Sequence, residues 1–254
     1  MSGASPFNLA GKRALVTGAN TGLGQGIAVA LAEAGADIVL AGRSSADDTQ
    51  AAIEALGRTA VAVRADLADM SVVKRLIADS EAAAGPLDIL VNNAGIIRRN
   101  DALAFDETDW DDVLDVNLKA VFFLSQAFAQ SVVTRGAAGK IVNIASMLSY
   151  QGGIRVASYT ASKSAVMGLT RILANEWAAK SINVNAIAPG YFATNNTAAL
   201  QADETRNREI LARIPVGRWG KPQELGGAAV FLSSAAADYV HGITLPVDGG
   251  WLAR

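Results

Sequence analysis

The sequence predicts an α/β fold, a doubly wound parallel sheet with helices on both faces. Three observations carry this. Short apolar runs alternate with amphipathic stretches along the whole chain. A glycine-rich turn from Gly18 to Gly24 stands between the first apolar run and the first helical stretch. No internal repeat, low-complexity segment or linker rich in Pro, Gly or Ser breaks the rhythm, so the 254 residues (1–254) are expected to form one domain.

The elements follow in order. Strands are expected at 14–17, 37–41, 59–64, 89–91, 140–144, 182–187 and 243–247. They are short and almost continuously apolar, as strands covered on both faces must be. Between them, helices are expected at 23–34, 45–56, 71–84, 110–134, 158–179 and 223–232, with Gly35, Gly57 and Gly85-Pro86 as stop signals. Crossovers between parallel neighbours are right-handed in nearly all cases. Residues 147–157 and 189–206 lack either period and are expected to be irregular loops over a functional site.

Composition removes several function classes. The formal net charge of −2 argues against a nucleic-acid-coating protein. The absence of cysteine rules out disulfides, thiolate metal sites, iron–sulfur clusters and cysteine nucleophiles. A single histidine, His241, disfavours multi-histidine metal sites and most triads, so no metal is expected and His241 is read as structural. With 51% hydrophobic and 18% charged residues, disorder is excluded as the main state. Residues 1–11 carry no basic and apolar leader pattern. The uncharged run 14–32 contains Thr17, Asn20, Thr21 and Gln25, too polar for a bilayer span. The expectation is a cytoplasmic protein without a membrane or nucleic-acid partner.

Gly18, Asn20, Thr21, Gly22, Leu23 and Gly24 are candidate phosphate-binding residues. Glycines let the backbone approach a pyrophosphate, and free N–H groups at a helix start face the anion. At the end of the second strand Gly42 stands where an acidic residue would bind the ribose of NAD. Arg43, with Ser44, suits a 2′-phosphate instead. The reading leans to NADP(H), with NAD(H) left open. Asp66 and Leu67, after the third strand, are candidates for the adenine, Asp66 being otherwise a helix cap.

Tyr159 and Lys163 are four apart on an expected helix and share a face. A cation there favours the tyrosinate, lowering the phenol pKa for proton exchange with a carbonyl or hydroxyl oxygen. Ser146 follows the fifth strand, at the sheet edge where such folds bind ligands. Arg99 and Arg155 suit a carboxylate, with Arg98 beside them. Gln151, Asn195 and Asn196 offer amides to hydroxyls.

The glycine turn, Asn92-Asn93-Ala94-Gly95, Asn117, Ser146 and Tyr159-x-x-x-Lys163, in this order, resemble the short-chain dehydrogenase/reductase family from about Leu9 to Arg254. That resemblance implies a single Rossmann-like domain with a seven-stranded parallel sheet and a homotetramer, with the two long helices between subunits. It implies that Tyr159 exchanges the proton and Ser146 steadies the substrate oxygen. Lys163 would lower the Tyr159 pKa and bind the nicotinamide ribose, and Asn117 would organise a relay water. Asn93, Ala94, Gly95, Pro189, Gly190 and Thr194 would flank the cofactor. The stretches at 97–103, 146–155, 190–197 and 247–254 further resemble the family's sugar-acid dehydrogenases. This implies hydride transfer on a keto or hydroxy sugar acid such as 2,5-diketo-3-deoxygluconate. Much of that branch is expected to use NAD(H), against the lean from Arg43. Reductases of gluconate type or of 3-oxoacyl carrier-protein type are alternatives, and a non-catalytic nucleotide sensor is a remote one.

Overall fold

The computed structural model describes residues 5–254. The strands are β1 (Arg13–Thr17), β2 (Asp37–Gly42), β3 (Ala60–Arg64), β4 (Ile89–Asn92), β5 (Gly139–Ile144), β6 (Ile182–Pro189) and β7 (Thr244–Val247). The helices are α1 (Gly22–Glu33), α2 (Asp47–Ala55), α3 (Met70–Ala84), α4 (Glu107–Leu114), α5 (Ala120–Thr134), α6 (Ala157–Trp177), α7 (Ala198–Ala202), α8 (Glu204–Arg213) and α9 (Gly226–Ser233). The strands form one seven-stranded sheet in the order β3-β2-β1-β4-β5-β6-β7. Every neighbouring pair is parallel. The chain reverses direction across the sheet between β1 and β4, which opens a crevice above their C-terminal ends.

Successive strand residues point to opposite faces, and both faces are filled. Val16, Ile38, Leu40 and Val91 pack with Ile27 and Leu31 of α1 and with Ala229 and Leu232 of α9. Their neighbours Leu15, Val39 and Leu90 pack the other way, with Leu76 of α3, Leu124 and Phe128 of α5 and Leu173 of α6. This two-sided burial is the physical reason the strands read as unbroken apolar runs.

Two side chains tie the halves of the sheet at the reversal. Thr17 Oγ1 accepts from the N–H of Asn93 and of Ala94, both at 3.0 Å, and donates to the Val91 carbonyl at 3.3 Å. The Asn93 amide donates to the carbonyls of Thr17 (2.9 Å) and Gly18 (3.2 Å). One strand further in, a buried polar chain runs outward from the sheet. The Asn92 amide donates to Ser125 Oγ on α5 (3.0 Å) and Asn143 Oδ1 on β5 (2.9 Å), and the Asn143 amide donates to Thr170 Oγ1 on α6 (3.0 Å). These bonds fix the helices that carry the site against the strands below it.

Three expectations need correction. The long helix at 110–134 is interrupted: a π-helical turn, Asp115–Lys119, separates α4 from α5. Asn117 sits in that turn and bonds sideways to the Ile96 backbone, which favours the extra residue. The stretch 189–206 is not irregular throughout, because it contains α7 and leads into α8. Of α8 only Ile210 is buried, so no apolar stripe announces the helix. The cap of α3 is Asp69, which accepts from Ser71 N at 2.8 Å, whereas Asp66 binds Ala68 N at 3.1 Å. One helical run, Glu107–Thr134, has the length (28 residues) and mean hydropathy (1.2) of a membrane span, with 50% of its apolar window buried in the fold. A core helix meets the same criteria.

Phe128 is fully buried between α5 and β5. Phe128→Ala is expected to destabilise the fold by about 3–5 kcal/mol, measured as a shift in the urea unfolding midpoint. A loss under ~1 kcal/mol would show that this core relaxes around the void.

Candidate active site

A cavity of about 840 Å³ lies along the C-terminal edge of the sheet. Its first end is made by the β1–α1 turn. Gly18, Asn20, Thr21, Gly22, Leu23 and Gly24 all line it. Gly18 has φ +64, and a Cβ there would stand 3.0 Å from Ala94 Cα. A Cβ on Gly24 would stand 2.1 Å from the Gly18 carbonyl oxygen. Only glycine therefore lets α1 begin this close to β4. No side chain caps the N-terminus of α1, so its first N–H groups remain for an anion. Arg43 and Ser44, beyond β2, and Asp66 and Leu67, beyond β3, line the same end. Arg43 makes no ion pair among the described residues. An uncapped helix start, a glycine cradle and a free guanidinium together fit a dinucleotide phosphate chain.

Asn93, Ala94, Gly95, Gly190 and Thr194 also line the cavity. Ser146, Tyr159 and Lys163 converge here from β5's end and from α6. Lys163 Nζ donates to the Ile144 carbonyl at 2.6 Å and lies 5.7 Å from the Tyr159 ring centroid. Burial pushes the Lys163 ammonium down to about 8. The Ser146 hydroxyl accepts from Leu148 N at 3.1 Å and acts on the Tyr159 phenol, favouring its ionised form.

The expected lowering of the Tyr159 pKa is not what this site does. Burial dominates and raises it, opposed by the Ser146 hydrogen bond and the Arg99 charge. The ammonium expected to do the lowering is itself desolvated and spends a proton on a carbonyl.

Beyond these groups the wall is polar. Arg99, whose charge reaches the Tyr159 phenol, lines it together with Gln151, Asn195 and Asn196. Arg99 also bonds the Asn196 carbonyl, at 3.4 Å. Arg98 is held by Asp109 (3.0 Å) and Asp112 (3.2 Å). Sequence reasoning missed the roof: Tyr191, Arg206, Glu209, Ile210, Arg213 and Trp251 also line the cavity. The four from α8 are spaced as one helix face, a signal present in the sequence. Nothing local marks Trp251, which arrives from the C-terminus.

Three expected residues stay out of the cavity wall. Asn117 is buried in the π turn, accepting from Ile96 N (2.8 Å) and donating to Ile96 O (2.9 Å) and Ser162 Oγ (3.3 Å). It supports the wall from behind. Pro189 is buried in the sheet, paired with Val247. Arg155 is exposed in a left-handed conformation (φ +62), and it is its carbonyl that is engaged, accepting from Asn100 N at 3.1 Å. His241 sits away from the cavity, 3.1 Å from the Asn183 amide.

Comparison with known proteins agrees with this geometry. Residues 18–252 match a family model described as enoyl-(acyl carrier protein) reductase. The chain is 61% identical over 248 residues to a 2-dehydro-3-deoxy-D-gluconate 5-dehydrogenase of Dickeya dadantii (strain 3937), covering 98% of each chain. It is 47% identical to a gluconate 5-dehydrogenase of Gluconobacter oxydans (strain 621H), again over 98% of each. A solved structure from Agrobacterium tumefaciens with bound NADP superposes with a TM-score of 0.95 at 63% identity, covering 99% of this chain and 100% of that one. A Burkholderia cenocepacia gluconate 5-dehydrogenase in complex with NADP and tartrate gives 0.92 at 42% identity, covering 98% of each.

The Lys163 ammonium yields a pH signature. Its pKa is about 8 folded, against 10.5 for an unperturbed lysine, so between these values the unfolded chain holds a proton that the native chain lacks. Native stability therefore gains from this group as pH rises from about 8 toward 10.5. Tyr159, raised above 10.0, acts oppositely only above that pH. Lys163→Met is expected to remove the gain, so the wild type should gain stability relative to the variant between pH 8 and 10 in paired denaturation curves. Parallel curves would contradict the desolvated amine.

Proposed function

The chain belongs to the short-chain dehydrogenase/reductase family, and from that membership we propose that it is an NADP(H)-dependent oxidoreductase of sugar acids. Its substrate pair is 2,5-diketo-3-deoxygluconate and 2-dehydro-3-deoxy-D-gluconate, with gluconate-type keto acids as near analogues. One observation carries the reading: an enclosed phenol, serine hydroxyl and buried ammonium share a cavity whose far walls are arginines and amides. A hydrophobic acyl ketone would leave those polar groups unpaired, at a cost in binding. The names of the relatives point the same way.

The nicotinamide cofactor supplies or accepts the hydride when bound. Everything else falls to the chain. The α1 N-terminus and its glycines hold the pyrophosphate, and Arg43 with Ser44 takes the 2′-phosphate. Ser146 donates to the substrate oxygen and Tyr159 moves the proton to or from it. A phenol whose pKa is raised keeps its proton at neutral pH, the state required to protonate the oxygen of a carbonyl being reduced. Oxidation in the reverse direction needs the phenolate, which Ser146 and Arg99 favour. Lys163 anchors the cofactor ribose, and Asn117 positions the Ile96 backbone beside it.

The family's tetramer supplies a partner for one further feature. A shallow apolar groove on the outer side of α4, α5 and α6 includes Leu114, Leu118, Phe122 and Leu169. Packing of these helices between identical subunits would cover it.

Tyr159→Phe is expected to lower kcat by at least ~10³-fold while fluorescence titration finds NADPH affinity nearly unchanged. Full turnover by the variant would discard Tyr159 as the proton carrier. Arg43→Ala is expected to weaken NADPH by about 10- to 100-fold and leave NADH kinetics unchanged. Equal effects on both cofactors would reject the 2′-phosphate contact.

A further inference from the structure

The roof of the cavity carries a guanidinium with no counter-charge. Arg213 closes α8, and its Cζ lies 4.1 Å from the centre of the Trp251 ring, in cation–π contact. Its side chain makes one hydrogen bond, from Nη2 to Gln151 Oε1 at 3.0 Å. Its other N–H donors have no partner among the described residues. The remaining arginines near this end are committed. Arg98 is neutralised by two aspartates and Arg206 pairs with Glu209 at 2.9 Å. Arg99 serves the reacting end, since its charge acts on the Tyr159 phenol. Arg213 instead stands against Trp251 and Gln151.

The setting of Arg213 is built rather than incidental. Trp251 is 4% exposed, and its indole N–H lacks an acceptor among the described residues. Asp248 pins the turn that carries Trp251, accepting from Gly250 N and Leu252 N, each at 2.9 Å. Tyr191 stands edge-on between Trp251 (4.9 Å) and Trp219 (5.3 Å). The side chain of Arg254 donates to the carbonyls of Ala212 (2.7 Å) and Arg213 (3.2 Å), closing the end of α8. Ile210 and Ile214 pack with Met147 and Trp251 as a small separate core. A planar fork held flat on an aromatic ring loses little freedom when it binds a carboxylate with two parallel hydrogen bonds.

We propose that Arg213, seated on Trp251 and tethered by Gln151, is the specificity-determining residue that anchors the substrate carboxylate. This rests on the sugar-acid reading above and adds to it the residue that recognises the acid. The substrate carries its carboxylate at one end and the reacting carbonyl toward the other. Arg213 takes the first while Ser146 and Tyr159 take the second. Tethering Arg213 through Oε1 leaves the Gln151 amide N–H groups for a substrate hydroxyl. The assignment also explains why Arg155, outside the cavity, is not needed for charge recognition.

The test compares 2,5-diketo-3-deoxygluconate with its methyl ester, which keeps the carbonyls and hydroxyls but carries no charge. The readout is the ratio of kcat/KM for acid over ester, with NADPH, in wild type, Arg213→Met and Arg213→Lys. The ratio is expected to fall by about 10- to 100-fold in Arg213→Met, mainly through KM for the acid. Arg213→Lys, which keeps charge but not the planar fork, is expected to fall between. A ratio unchanged in both variants overturns the anchor, including the case where both substrates suffer equally because α8 is disturbed. A wild-type enzyme that reduces neither compound overturns the sugar-acid reading and the anchor with it. Turnover by wild type with an unchanged ratio in the variants overturns the anchor alone.

Discussion

The site depends on the knot between Thr17 and Asn93 at the point where the sheet reverses direction. In an open parallel sheet the two strands at this point send their chains to opposite sides, and a crevice opens between them. The Thr17 hydroxyl and the Asn93 amide bond five backbone groups across that opening. They set the spacing of the β1 and β4 ends to within a hydrogen bond. Gly18 and Gly24 then have to be glycine, because the backbone of α1 arrives against the same amide. The cofactor end of the cavity is thus a consequence of strand pairing.

The reacting end follows from burial. Lys163 and Tyr159 rise from adjacent turns of α6, whose inner face packs on β6 and α4. The same packing that orients them strips their water. A desolvated ammonium gives up its proton more readily and a desolvated phenol holds its proton more firmly. The two shifts drive the groups' affinities for a proton apart, the ammonium down to about 8 and the phenol above 10.0, with Ser146 and Arg99 opposing the phenol's rise. What opposes the rise of the phenol is a hydroxyl and a guanidinium.

The roof is built on different physics. α8 contributes few apolar contacts and is held by a small aromatic cluster and by side-chain bonds such as Trp219 Nε1 to Asn207 Oδ1 at 2.8 Å. Its separation from the two main cores lets its inner face be polar without disturbing the sheet. Arg206, Glu209 and Arg213 can therefore meet a ligand instead of filling a core. Division of labour between a rigid sheet edge and a lightly anchored covering segment is common where binding residues must differ among related proteins.

All seven strands, the glycine turn and the pairing of Tyr159 with Lys163 were legible in the sequence, because each rests on a local rule. Strands buried on both faces are apolar throughout, a phosphate turn needs glycines at a helix start, and residues four apart share a helix face. Four features came only from the tertiary structure. The π turn at Asn117 arises from a sideways bond to Ile96, a partner 21 residues away. Arg155 was an equal candidate with Arg99 until the chain's path turned it outward. The direction of the Tyr159 shift depends on how much water the assembled walls exclude, which no spacing of residues encodes. Trp251 reaches Arg213 only because β7 delivers the C-terminus to the sheet edge. Short-range geometry is written in neighbouring residues, whereas desolvation and contacts between distant segments exist only once the chain has closed on itself.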